Sequence, residues 1–303
     1  MSDLMNSSFK SIPDDAEEAI AGVFNKAIWT KFNKGIREYS LINNGDRIAV
    51  CISGGKDSML LAKCMQRLER FGKTSFEAVF LAMDAGFTDE VRENILDNCR
   101  RLHIPVEMHN TKIFDSVQKS SGNPCFLCSR LRRGWLYKTA MQLGCNKIAL
   151  GHHFDDVIET ILMGMLYGSQ MQTMMPKLHS ENYSGMQIIR PLYLVREEDI
   201  IKWQKYCGLS FSQCACRITE KNSSSGNGSK RYEIKKLLNE LRKSNPAVDM
   251  NIFRSAENVN LRTLISYHDG ENYHSFLDDY DEGITVKGTR NKKYISSPKN
   301  LST

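Results

Sequence analysis

The sequence has no apolar run near the roughly 20 residues that a membrane helix needs. Its start, MSDLMNSSFK, carries neither the basic stretch nor the apolar segment of a secretory signal. The expectation is a cytoplasmic protein with no membrane partner. An excess of one charge sign is also nearly absent: 41 Lys and Arg against 35 Asp and Glu leave +6, which suits a polyanionic partner without requiring one. There is no internal repeat, which argues against solenoids and propellers. A Walker loop is missing too, because Gly72-Lys73-Thr74 has Arg67 where the pattern needs its first glycine, and the triplet ends a helical stretch instead of opening one. What is present is 303 residues, 41% hydrophobic and 25% charged, the composition of a folded globular protein with one large domain or two modest ones. The nine cysteines are an odd number. In a chain too long for a disulfide-stapled miniprotein they point to a reducing compartment and to thiols that do chemistry or hold metal.

Hydrophobic periodicity then sets the organisation. A polar leader runs to about residue 20, followed by AIWTKFNKGIREYSLI, where Ile28, Phe32, Ile36 and Tyr39 recur at helical spacing and define an amphipathic helix over 27–40. Its apolar face suits either the domain's own core or an interface between two copies. Strands are expected at 46–52, 76–83, 105–111 and 147–151, and helices at 59–71, 88–102, 135–143 and 155–166. Strands separated by helices of that length need right-handed crossovers. The fold class is therefore α/β, a doubly wound, mostly parallel sheet over 44–207 with helical additions at both ends. Residues 1–43 form the leader and first helix. Residues 208–266 hold a cysteine loop, the Gly/Ser-rich linker KNSSSGNGSK and C-terminal helices, and 267–303, polar and charged, is expected to be a disordered tail.

Three strings carry chemistry. Ser53-Gly54-Gly55-Lys56-Asp57-Ser58 stands between the first strand and its helix, where glycines let the main chain approach a pyrophosphate and the helix start attracts an anion; in that context the string is too specific for an ordinary glycine turn. Gly151-His152-His153-Phe154-Asp155-Asp156 opens another helix after a strand and sets two carboxylates at the same sheet edge, although Asp155 also suits a simple helix cap. Pro124-Cys125-Phe126-Leu127-Cys128 lets two thiolates reach one metal from a tight turn, and Arg130, Arg132 and Arg133 behind it favour thiolates and offer phosphate contacts. Cys214 and Cys216 are candidates for further ligands: four thiolates suit a structural zinc, whereas three on a 4Fe-4S cluster leave one iron open. Cys51, Cys64, Cys99, Cys145 and Cys207 read as small buried hydrophobes. Arg190 reads locally as a surface ion pair, worth about 0–1 kcal/mol.

SGGKDS resembles the PP-loop of the ATP pyrophosphatase superfamily, whose members split ATP between the α and β phosphates and adenylate a carbonyl oxygen. GHHFDDVIET resembles the HHxDDxxET block of tRNA lysidine synthetases and tRNA 2-thiolation enzymes, and Ile189-Arg190-Pro191-Leu192 with Arg196-Glu197-Glu198 resembles a second block that those groups share. With PCFLCSRLRRG added, roughly residues 25–265 resemble the tRNA 2-thiocytidine synthetase family. The resemblance implies an ATP site at Ser53, Gly54, Gly55, Lys56, Asp57, Ser58, Met83, Gly151, His152 and Asp155. It implies chemistry at Lys56, Asp57 and Asp156, with Mg²⁺ on Asp57 and tRNA contacts at Arg130, Arg132 and Arg133. It further implies a 4Fe-4S cluster on Cys125, Cys128 and Cys214, with Cys216 as the alternative third ligand, since the family's second CxxC is CxC in this chain. The implied reaction adenylates the C2 oxygen of an anticodon-loop cytidine and replaces it with sulfur from a cysteine desulfurase or from sulfide. Family members are commonly dimers.

Lys230, Arg231, Lys235 and Lys236 offer further tRNA contacts or simply a solvated helix face. Other functions fit the same residues: thiolation of uridine, a cysteine persulfide on Cys125 or Cys128 acting without a cluster, a lysidine-type amidating ligase braced by Zn²⁺, or a nucleotide-sensing binding protein.

Overall fold

The computed structural model describes residues 12–118, 124–211, 229–278 and Tyr280. The chain divides into two compact units, residues 1–253 and 254–303. The first is built on six strands: β1 (Asp46–Ile52), β2 (Phe76–Asp84), β3 (Val106–Asn110), β4 (Lys147–Ala149), β5 (Lys177–His179) and β6 (Gln187–Ile189). Their order is β3-β2-β1-β4-β6-β5, parallel throughout except for β5, which runs antiparallel on the edge. The expected α/β class is the observed one. β1 reads DRIAVCI, a near-continuous apolar run, because both of its faces are covered. Ile48, Val50 and Ile52 face the larger core, and Ala49 faces a smaller one with Ile148, Ile188, Tyr137 and Ala140.

The helices are α1 (Ile12–Ala21), α2 (Thr30–Glu38), α3 (Lys56–Phe71), α4 (Asp89–Arg101), α5 (Ile113–Gln118), α6 (Pro124–Gln142), α7 (Phe154–Tyr167), α8 (Glu197–Tyr206), α9 (Lys230–Ser244) and α10 (Val248–Glu257). α3 is the innermost, with every residue from Ser58 to Met65 buried. α4 starts where Thr88 accepts a hydrogen bond from the Val91 N–H, with Asp89 and Glu90 in its first turn, as a helix N-terminus favours. Among the described residues no helix is long and apolar enough to cross a membrane.

Several sequence expectations are corrected. The polar leader contains α1, whose Ala16, Ala19 and Ile20 are buried and whose Ala16 carbonyl accepts from the buried Trp203 indole at 3.2 Å. Four acidic residues in IPDDAEEAIA disguise that narrow apolar stripe. The amphipathic stretch is entered by a π-helical turn, Asn25–Trp29, before α2. Ile28, Phe32 and Ile36 are buried in the larger core, so this face covers the domain itself. The cysteine motif is no tight turn: Pro124 opens one continuous helix, α6, a position where its missing N–H costs nothing. β5 and β6 were not foreseen, being three residues each. In the second unit Ser266–Asp269 and Asn272–Ser275 pair as an antiparallel hairpin, β7 and β8, turning at Gly270 with φ +62°. The start of the expected tail is therefore ordered. Cys214, Cys216 and most of the Gly/Ser-rich linker lie outside the described residues, as do 281–303.

The amino ends of β1 and β4 are locked by a buried ion pair. Lys147 Nζ lies 2.6 Å from Asp46 Oδ2 and donates to the Leu41 carbonyl at 2.9 Å, with Lys147 2% exposed. Burial would raise the Asp46 carboxyl, but bonds from the Asn43 N–H, Lys147 and Asn146 outweigh it and hold the group below its ordinary value. Asp46→Asn leaves a buried ammonium without its counter-charge and should cost about 3–5 kcal/mol in urea unfolding. In the native protein this contribution is present above the unfolded carboxyl value of about 3.9 and is lost as pH falls through the lower folded value.

Candidate functional site

Parallel pairing places Ile52 beside Ala82 and Val50 beside Ala149, so the loops that follow β1, β2 and β4 leave from one sheet edge. In the first loop Gly54 has φ +85°, and a Cβ there would lie 2.5 Å from Ile95 Cγ1, so only glycine fits. Ser58 Oγ accepts from the Ser53 N–H at 3.2 Å and donates to the Gly55 carbonyl at 2.8 Å, folding the loop over the N-terminus of α3. Opposite stands the start of α7. The His153 ring accepts from the Asp156 N–H at 3.4 Å while Asp156 Oδ2 accepts from the His153 N–H at 3.0 Å, a reciprocal cap. Gly151 lets the two loops meet: a Cβ on it would sit 3.2 Å from the Asp57 carbonyl carbon and from Ser58 N.

Between the loops lies a cavity of about 390 Å³, lined by Ser53, Asp57, Ser58, Met83, Arg132, Leu136, Gly151, His152 and Asp156, among others. Gly54, Gly55 and Lys56 complete the loop beside it. Asp155 is elsewhere. It is 5% exposed, accepts the Glu197 N–H at 2.7 Å and pairs with Arg242 at 2.8 Å, so Asp156 is the capping aspartate and Asp155 ties α7 to α8 and α9. On α6, Arg132 is drawn into the cavity, whereas Arg130 and Arg133 are exposed. Helical periodicity sets positions 125, 128, 132 and 136 along one stripe of that helix; Arg132 and Leu136 line the cavity, and Cys128 is buried in the larger core. Among the described residues no three His, Cys, Asp or Glu side chains gather to hold a metal.

A model of the PP-loop domain matches residues 25–218. The chain is 38% identical over 237 residues to the tRNA-cytidine(32) 2-sulfurtransferase of Vibrio cholerae, covering 77% of this chain and 74% of that one. It is 33% identical over 251 residues to the protein of that name from Geobacter sulfurreducens, covering 82% and 95%. The chain belongs to the tRNA-cytidine 2-sulfurtransferase family of PP-loop proteins. A U34-tRNA thiolase from Methanococcus maripaludis, solved with its 4Fe-4S cluster, superposes with a TM-score of 0.59 at 19% identity over 76% of this chain and 77% of that one, which shows a common fold.

Around the PP-loop the charges are interlocked. Lys56 Nζ lies 3.2 Å from Asp57 and 3.1 Å from Glu197; Lys235 of α9 reaches Glu197 at 3.0 Å and Glu159 at 3.7 Å; Arg231 reaches Asp156 and Glu159 at 3.3 Å each. Arg231 and Lys235 are thus tied into these ion pairs while still half-exposed, and Lys230 and Lys236 are exposed. Glu159 and Glu197 stood inside the motif strings without an assigned role. Burial would raise Glu197, yet Lys235 and Lys56 outweigh it and hold its carboxyl at about 2. Burial wins at Glu159, whose value rises despite Lys235 and Arg231. Arg190 is no surface pair: it is 9% exposed and donates to the Met175 carbonyl.

His152 faces the cavity with its Nδ1 buried and without a hydrogen-bond partner among the described residues. Burial, reinforced by Arg190, pushes its value down to about 4. The ring should titrate near pH 4 in an NMR pH series and stay neutral at pH 6. Because the unfolded ring takes its proton near 6.5, the fold should lose stability as pH drops from 6.5 toward 4. Gly151→Ala presses a methyl group onto the Asp57–Ser58 main chain and should weaken nucleotide binding, measured by calorimetry, by about tenfold, a loss on the order of 1.4 kcal/mol.

Proposed function

We propose that this protein is an ATP-dependent tRNA sulfurtransferase acting in the cytoplasm on cytidine 32, the nucleotide named for its relatives. The observation that carries the proposal is the helix α6, which presents Arg132 to the PP-loop cavity from the same stripe that bears Cys128 and position 125. One helix thereby carries both a cavity-lining arginine and the two cysteine positions.

The PP-loop supplies N–H groups and the N-terminus of α3 to the phosphates, with Ser53 and Ser58 at its base. Asp57 suits Mg²⁺: its Oδ1 lies 3.2 Å from Lys56 Nζ but accepts no well-aligned hydrogen bond, which leaves an oxygen ligand for a hard cation. Lys56 and Arg132 neutralise charge on the nucleotide, Met83 borders the adenosine, and the neutral His152 adds a polar ring nitrogen to the wall without a charge. The target base leaves its stack to reach this cavity, since C2 is shielded within the anticodon loop. Adenylation turns the C2 oxygen into a leaving group with AMP attached. Cys125, Cys128 and either Cys214 or Cys216 would hold a 4Fe-4S cluster, which supplies an open iron for sulfur from a cysteine desulfurase or from sulfide. Arg130 and Arg133, exposed on α6, meet the tRNA backbone. Residues 44–207 act as the catalytic α/β domain, in a homodimer.

Anaerobic purification with iron, sulfide and zinc analysis tests this directly. Wild type should carry about four irons per chain, lost in Cys125→Ala and in only one of Cys214→Ala and Cys216→Ala. With tRNA and sulfide, 2-thiocytidine should appear together with AMP, and Asp57→Ala should lower AMP formation by about 10²–10³-fold. One zinc per chain with lysine-dependent AMP release would instead identify a braced ligase, and 2-thiouridine would move the target base.

A further inference from the structure

Glu197, the first residue of α8, is held from both sides. Its Oε1 accepts from Lys56 Nζ at 3.1 Å and its Oε2 from Lys235 Nζ at 3.0 Å, so one carboxylate bridges the PP-loop lysine and a lysine of α9. Two ammonium groups gripping the two oxygens of one anion is also the way a pair of lysines holds a phosphate. Resting on the ATP site proposed above, we propose that Glu197 occupies the place of a phosphate group: the pyrophosphate end of ATP displaces its carboxylate, and Lys235 becomes, with Lys56, a ligand of the pyrophosphate.

Three features support the exchange. The Glu197 main chain is anchored independently, its N–H donating to Asp155 Oδ2 at 2.7 Å, so the side chain can swing out while α8 stays in place. Its side chain is 24% exposed, which gives it an outlet to solvent. The other carboxylate near Lys235, Glu159, lies 3.7 Å away, beyond hydrogen-bonding distance, so Glu197 is its one hydrogen-bonded carboxylate among the described residues. The Lys235 charge is therefore available once Glu197 departs. Displacement is required, because a carboxyl held at about 2 stays ionised at neutral pH and repels an incoming phosphate. The same competition assists release: when pyrophosphate has left the α-phosphorus with the electron pair of the broken P–O bond, the returning carboxylate reclaims both lysines.

The test is calorimetric titration of the full chain with Mg²⁺-pyrophosphate and, separately, with AMP. Lys235→Met should weaken pyrophosphate binding about tenfold or more while leaving AMP binding unchanged, and Lys235→Arg should restore most of it. Glu197→Gln should tighten pyrophosphate binding. Thermal unfolding of each variant confirms that it is folded, and Lys235→Arg keeps the test valid should Lys235→Met prove unstable. The inference is overturned if Glu197→Gln weakens pyrophosphate binding, since the carboxylate then only positions the lysines, or if Lys235→Met leaves it unchanged. Wild-type protein that binds neither pyrophosphate nor AMP would bring down the ATP site itself, a failure distinct from these.

Discussion

The main chain at Gly151 passes so close to Asp57 and Ser58 that any side chain there would press on backbone atoms. That approach is possible because β1 and β4 are direct parallel neighbours and both end at the same edge. It brings the N-termini of α3 and α7 to face one cavity, so two helix dipoles favour negative charge in the same place. Everything else at the site is arranged around this meeting of loops: the Gly54 turn that clears Ile95, the Ser53–Ser58 closure, and the cap that holds Asp156 at the rim.

Such an edge would be over-supplied with carboxylates without α9. Asp155, Asp156, Glu159, Glu197 and Asp249 are answered by Arg231, Lys235 and Arg242, which occur along one face of α9 with the buried Ile234 and Leu238. Removing one partner of such a set costs more than the pair contributes, because the remaining charge stays desolvated. α9 is therefore part of the site, and the carboxylate of Glu197 links it to the PP-loop.

How much of this could be read from sequence depended on how local each signal is. Buried strands such as DRIAVCI and FEAVFLAM announce themselves as apolar runs, and a glycine loop between strand and helix has few alternative meanings, so the α/β class and the PP-loop were both legible. α1 was hidden because its inward stripe is two alanines and one isoleucine among acids. A tight turn is the expectation at the cysteines of α6, although Pro124 suits a helix start and the arginines after it are good helix formers. The strands β5 and β6 carry too few residues to show a period, and the hairpin of the second unit was masked by polarity despite its Asp269-Gly270 turn. For the cations of α9 the sequence leaves tRNA contacts and a solvated face equally open, because their partners lie far away in sequence, 75 residues in the case of Arg231 and Asp156. Burial of Arg190 likewise has no local signature.

The encasement of α3 sets how long the site keeps its shape. Ser58 to Met65 are buried without interruption, and even Lys63 is 3% exposed, its ammonium satisfied by Gln66 and the Leu102 carbonyl. Amides in such a helix exchange with solvent only when the whole domain opens. The glycine loop closes through Ser58 onto that buried segment. That anchor is therefore drawn from the part of the fold least touched by the local openings that loosen surface helices.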